Sequence, residues 1–217
     1  MSSTRKRRER DTVVFKGAKI DGNRLKSKRK ADTGQVAVDG FLSGPLTGAP
    51  EKAASRFLDA NPELFGEPEA VQELQVEQVR RSPAGYHVTF QQMHQGVPVE
   101  EAKVSVHLTR DKRVHSAQGR LVPDVAGLDV HMMADNGIDS DEAIKIARSE
   151  IAPVHKDPIA GQAEQVILAD KEPHLAWKVT LSTNKPAAEW AVWVDVQSGV
   201  VLQRRELSTG AAQETQP

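Results

Sequence analysis

Seven histidines are the residues of this chain best suited to chemistry near neutral pH, because imidazole titrates there and binds transition metals. A hydrolytic zinc site on a helix needs two of them one turn apart with a glutamate beside the first, so that both rings hold the metal and the carboxylate acts as base. None of the seven is followed by Glu and then by a second His at that spacing. His107 and His115 flank the polar turn Arg110-Asp111-Lys112 and could face each other from neighbouring strands at a distance able to hold a metal ion. The competing reading makes them two polar residues on a solvated sheet face; it needs no further ligands and is the one adopted. No nucleophile–base constellation is legible, so no catalytic residue, no metal and no cofactor is assigned.

The remaining polar candidates point to structure before chemistry. Gln91, Gln92 and Gln95 cluster at the end of one apolar alternation, where glutamines commonly bond backbone at a turn. Asp195 precedes Ser198-Gly199, the arrangement of an aspartate that bonds a turn and not of an acid catalyst. Trp177, Trp190 and Trp193 stand in strand-like runs where core packing is the default. Trp190 and Trp193 differ by an odd number of positions and so point to opposite faces, leaving one of them as a candidate for a partner surface.

These residues sit on elements that can be read from periodicity. Tyr86, Val88 and Phe90 alternate with His87, Thr89 and Gln91, as in a half-buried strand. Gln95-Gly96 supplies a turn, and Val97-Pro98-Val99 restarts the chain with a proline suited to a sheet edge or a strand start. Val104, Val106 and Leu108 alternate with Lys103, Ser105 and His107, and Val114 to Leu121 continues beyond the polar turn. The three form an antiparallel meander. Downstream, Asp139 to Glu142 offers a cap and acidic first turn, and Ala143, Ile144, Ala147 and Ile151 form the apolar stripe of a helix ending at Pro153. Apolar runs follow at Gln165 to Ala169, Leu175 to Leu181 and Glu189 to Val196, then a Gln197-Ser198-Gly199 turn into Val200 to Arg204.

The wording of the meander resembles the FTP domain, the fungalysin/thermolysin propeptide module found ahead of zinc metallopeptidases in secreted precursors. The resemblance rests on Phe90, Gln91, Gln92, Gln95, Gly96, Val97, Pro98, Val99, Ala102, Val104, Val106, Leu108, Val114 and Gly119, with AASRFLDANPELFG from Ala53 to Gly66 matching the family's helix and following loop. Residues Glu189 to Leu207, with Asp195 and Gly199 at the turn, resemble the closing hairpin of a PepSY domain. In thermolysin-type precursors the order is FTP, PepSY, peptidase, and the resemblance covers about residues 50–207. It implies that the matching residues mostly define the fold, with Gln92 and Gly96 setting the hairpin.

Composition agrees with a packed chain. Hydrophobic residues make up 38% of 217, mean hydropathy is −0.49 and no stretch is apolar enough to span a membrane. Cysteine is absent, which excludes disulfides and thiolate metal sites. Residues 1–30 hold twelve Lys/Arg against three Asp/Glu, while the rest hold seventeen against twenty-seven, so a basic tail precedes an acidic body. That tail has one aromatic, Phe15, and no interleaved stacking platform, so nucleic-acid or anionic-surface binding is the less favoured reading. Val13-Val14-Phe15 and Phe41-Leu42 are candidates for short docking strands. Arg5 to Arg10 is basic enough to open an export signal, but the apolar stretch after it ends at Lys16; the family is usually secreted, and here the usual signature is missing.

The expected fold class is α+β: two small units, each an antiparallel sheet with a packed helix, preceded by a basic, largely disordered tail. Expected limits are 1–49 for the flexible tail and linker, 50–127 for the FTP-like domain, 138–207 for the PepSY-like domain and 208–217 for a disordered end. The resemblance implies a non-catalytic module that binds a thermolysin-like zinc metallopeptidase as inhibitor or chaperone-type folding partner. The alternatives are a propeptide fragment or decayed copy of a secreted zinc metallopeptidase precursor, and anionic-surface or nucleic-acid binding through the basic N-terminal tail.

Overall fold

A computed structural model describes residues 26–29, 35–40, 42–65, 73–122, 125–153, 158–169, 172–184 and 187–209. Val13-Val14-Phe15, Phe41 and residues 210–217 lie outside them. The described chain is α+β and mostly antiparallel sheet, with strands β1 Lys26–Arg29, β2 Val36–Asp39, β3 Leu74–Ser82, β4 Gly85–His94, β5 Val97–Thr109, β6 Val114–Gly119, β7 Ile159–Ala169, β8 Pro173–Asn184, β9 Ala187–Asp195 and β10 Val201–Thr209. The helices are α1 Pro50–Ala60, α2 Val130–Asp135 and α3 Ser140–Ile151. Two compact units emerge. Unit 1 takes the described residues up to Phe65 with Val76–Phe90 and Lys103–Leu121; unit 2 takes Glu73–Gln75, Gln91–Ala102 and the described residues from Val122. The long strands β4 and β5 thus supply residues to both.

In unit 1, β6 pairs antiparallel with β5 on one side and β2 on the other, and β2 pairs with β1. The registers Val36↔Gly119, Val38↔Ala117 and Val106↔Ala117 bring alternating apolar residues into line. Val88, Phe90, Val104, Val106, Val114 and Ala117 are at most 1% exposed. Each such side chain contributes about 1.5–3 kcal/mol of hydrophobic burial if it is Val-sized or larger. Helix α1 begins on Pro50, whose fixed φ suits a first turn. It buries Ala53, Ala54, Phe57 and Leu58, one face at helical spacing, and Asn61 stops it by donating Nδ2–H to the Phe57 carbonyl at 2.7 Å. The expected tail and linker region holds more structure than its composition suggested: Val36 and Val38 alternate as β2 does against β6, and Leu42 is 2% exposed.

Unit 2 is an antiparallel β7-β8-β9-β10 sheet, to which β5 adds in parallel through Val99↔Ile167. The Asp139 side chain caps α3 by accepting the Glu142 N–H at 2.8 Å, and Asp141 and Glu142 lie in the helix's positive first turn. Ala143, Ala147 and Ile151, four apart, pack on Val179, Leu181, Val192 and Val194. The strand alternation sends Val166, Ala176, Ala191 and Trp193 into a separate cluster. Pro98, second in β5, stands at a strand start, where a missing N–H is tolerated. The segment Gly127 to Gly137, between the two expected domains, contains α2, capped by Asp129 accepting from Met132 N–H at 3.0 Å.

Candidate functional site

The glutamines at the end of β4 spend their hydrogen bonds on backbone. Gln92 is 1% exposed; its Nε2 donates to the Val122 carbonyl at 2.7 Å and its Oε1 accepts the Val122 N–H at 2.8 Å. A buried amide satisfied on both sides is a fixed clamp with no free group for a reactant. Gln91 Nε2 donates to the carbonyls of Val99 at 2.6 Å and Ala102 at 3.1 Å. Gln95 Nε2 donates to the Leu128 carbonyl and its Oε1 accepts the Val130 N–H, both at 3.0 Å, while His94 Nε2 meets the same Leu128 oxygen at 2.9 Å. Together Gln92, His94 and Gln95 anchor residues 122–130. Gly96 permits the tight turn with φ +82, and Val97 and Val99 lie in the cluster with Val122, Val125 and Val130.

Gly119 closes β6 with φ +156, and a Cβ built there would lie 2.2 Å from the Lys103 carbonyl oxygen. Only a hydrogen fits that approach. Phe90, 1% exposed, is core in unit 1.

Asp195 is 6% exposed. Its Oδ1 accepts from Gln197 N–H at 3.1 Å, Ser198 N–H at 2.7 Å and the Ser198 hydroxyl at 2.7 Å, and its Oδ2 lies 3.2 Å from His174 Nδ1. Gly199 N–H donates to its backbone carbonyl at 3.0 Å. Burial works to raise the Asp195 pKa, but the hydrogen bonds from Ser198 and the contact with His174 hold it below the usual carboxylate value.

Trp193, one of the two candidates for a partner surface, is 1% exposed. Lys178 Nζ stands 5.7 Å and the Arg205 guanidinium 5.6 Å from its ring centre. Those cations are held in turn, Lys178 by Glu100 at 2.9 Å and Arg205 by Glu101 at 2.6 Å. Its Nε1 has no hydrogen-bond partner among the described residues. Trp190 is half-buried beside the α3 cluster.

The histidines are arranged differently from the expected pair. His107 on β5 meets His87 on β4, their Nδ1 atoms 2.5 Å apart. His115 falls at a bulge in β6, where His107 faces Ser116 and Leu108 faces Val114. Among the described residues no group of three or more His, Cys, Asp or Glu is placed to hold a metal ion. Sequence reasoning missed the His87 contact; the available signal was that both residues are polar positions of neighbouring strands.

The family model of the Fungalysin/Thermolysin Propeptide Motif matches residues 72–121, and that of the peptidase propeptide and YPEB domain, PepSY, matches residues 137–205. Bacillolysin of Bacillus subtilis (strain 168) is 24% identical over 205 residues, which take in 88% of this chain and 37% of the relative. Bacillolysin of Bacillus cereus is 26% identical over 192 residues, 84% of this chain and 33% of the relative. The chain therefore spans roughly a third of the length of these curated relatives. Among solved structures, the Bacillus megaterium YpeB C-terminal domain aligns over 85% of this chain and 83% of that one, at 11% identity and a TM-score of 0.42.

Proposed function

Because the FTP and PepSY propeptide domain models match this chain in that order, we propose that it works by recognition, binding a thermolysin-like zinc metallopeptidase as inhibitor or folding partner. The observation that carries this reading is the match of both propeptide domains together with a bacillolysin similarity running through 88% of the chain. The module is non-catalytic in this reading. Its side chains at Gln92, Gln95 and Asp195 are committed to backbone and turn, and what it offers a partner is shape. Strand β3 pairs only with β4 among the described strands, and its Val76 and Val79 are 39% and 43% exposed. Such an edge can take up an extended partner segment by backbone hydrogen bonding. Trp190 is retained as a contact candidate, with Trp193 shaping its own surface from beneath. The limits 50–127 and 138–207 are kept as the proposed domains, to be checked by limited proteolysis with mass mapping of the fragments.

The one-third share of bacillolysin's length favours a second reading, in which residues 1–217 are the pro-region of a longer precursor and the same surface acts within one polypeptide. Reading the coding sequence past Pro217 separates the two. For the first, the tagged chain is used to pull proteins from lysate and medium of its source cells, and captured proteins are assayed for proteolysis. Recovery of an HExxH metallopeptidase whose activity falls at about equimolar chain, the stoichiometry of a one-to-one complex, is expected. Recovery of nucleic acid or of unrelated proteins alone overturns it.

A further inference from the structure

Unit 1 carries a row of polar side chains with no part in the recognition proposed above. His87 on β4 and His107 on β5 meet edge to face, ring centres 4.6 Å apart and planes at 84°, with Nδ1 facing Nδ1 at 2.5 Å. The other nitrogen of His87, Nε2, lies 3.2 Å from the Ser82 hydroxyl. Contact between two imidazole nitrogens is an N–H···N hydrogen bond, in which one nitrogen carries the proton and the other offers a lone pair. Two imidazolium rings present two donors and no acceptor, and their charges repel. The surroundings add to this conflict: the groups that bear on His107 from neighbouring strands are His87 on β4, His115 on β6 and Asp39 on β2, three imidazoles to one carboxylate when His107 is counted.

The geometry points to an acid-sensitive latch: the His87–His107 contact ties β4 to β5 at neutral pH and breaks when both rings are protonated, loosening unit 1 at mildly acidic pH. Burial first, then His87 and His115, lower the His107 pKa from its ordinary 6.5, against the raising pull of Asp39. A histidine whose folded pKa lies below its unfolded one adds stability that is fully present above the unfolded value. That stability is lost as pH falls through the lower, folded value. One proton between the two Nδ1 atoms satisfies the contact, whereas protonating both rings removes its acceptor. This inference concerns the free chain and stands whether or not a protease partner exists.

The test is thermal unfolding of the full chain at about pH 7.5 and about pH 5, on either side of the ordinary histidine value, for wild type and His107→Gln, alongside NMR titration of the histidine ring protons. Wild type is expected to lose roughly 2–4 °C more on acidification than His107→Gln. The His107 ring is expected to titrate below its ordinary 6.5. Equal acid loss in the two proteins, or titration of His107 at the ordinary value, overturns the latch. Should His107→Gln fail to fold, the ring titration of wild type decides alone.

Discussion

The polar strand faces of the two units are built from different chemistry. One face of unit 1 pairs His87 with His107, and Thr89 Oγ1 with Ser105 Oγ at 3.2 Å, with no lysine, arginine or carboxylate in either pair. The face around Trp193 in unit 2 uses fixed charges, with Lys178 and Arg205 flanking the ring and paired to Glu100 and Glu101. Lysine and arginine do not titrate near neutrality. Acid therefore reaches these two faces at different pH. In unit 1 the His107 contribution begins to go below 6.5. In unit 2 the carboxylate of Asp195, held below its usual pKa, contributes stability above the unfolded value of about 3.9 and loses it only as pH falls through its lower folded value. Similar strand patterns thus yield opposite sensitivities, because alternation decides which face is polar while the residue type decides what that face does with a proton.

The most severe way to break this contrast is to remove the ring that the unit 2 charges surround. Trp193→Ala is expected to cost about 3–5 kcal/mol in denaturant unfolding, as for a large buried aromatic, with the same loss at about pH 5 and about pH 7.5, either side of the histidine range. A loss that grows on acidification would place a titrating group in the Trp193 cluster and erase the distinction between the units. A smaller effect is expected from Gln92→Ala, which strands the Val122 N–H and carbonyl in a buried site; about 2–4 kcal/mol should disappear, again without pH dependence across the histidine range. Restoration of wild-type stability by a water in the vacated space would show up as a loss under about 1 kcal/mol, and the clamp would then be dispensable. The smallest effect sharpens the comparison without mutation. The single tyrosine, Tyr86, belongs to unit 1, and all three tryptophans belong to unit 2. On slow acidification the Tyr86 environment should change below about pH 6.5, while tryptophan emission holds until about pH 4. Simultaneous change of both signals would contradict two separate acid windows.

Much of the fold was legible because local pattern and burial agree. The alternation from Tyr86 to Phe90 and from Val104 to Leu108 became β4 and β5, the Asp139 cap with its apolar stripe became α3, and the Ser198-Gly199 turn lies between β9 and β10. Strand β3 escaped because nearly all its side chains are exposed, so Leu74 to Ser82 shows no apolar alternation to read. Strand β2 and helix α2 escaped because four and six residues are too few for a period to stand out. The candidate site was legible in its residues and illegible in its contacts. Counting back from a two-residue turn at Gln95-Gly96 sets His87 opposite Val104, whereas in the structure His87 meets His107, three positions further along β5.

By itself the sequence determined the class of elements, the propeptide resemblance and the absence of an HExxH motif from residues 1–217, since each of these is written in residue types at short spacing. Tertiary structure alone decided that Gln92 closes on Val122, that Trp193 lies under two cations and that two histidines meet nitrogen to nitrogen. Those partners are 30, 15, 12 and 20 positions away along the chain, and contacts of that kind depend on strand register, which a single backbone irregularity can shift and no local pattern encodes.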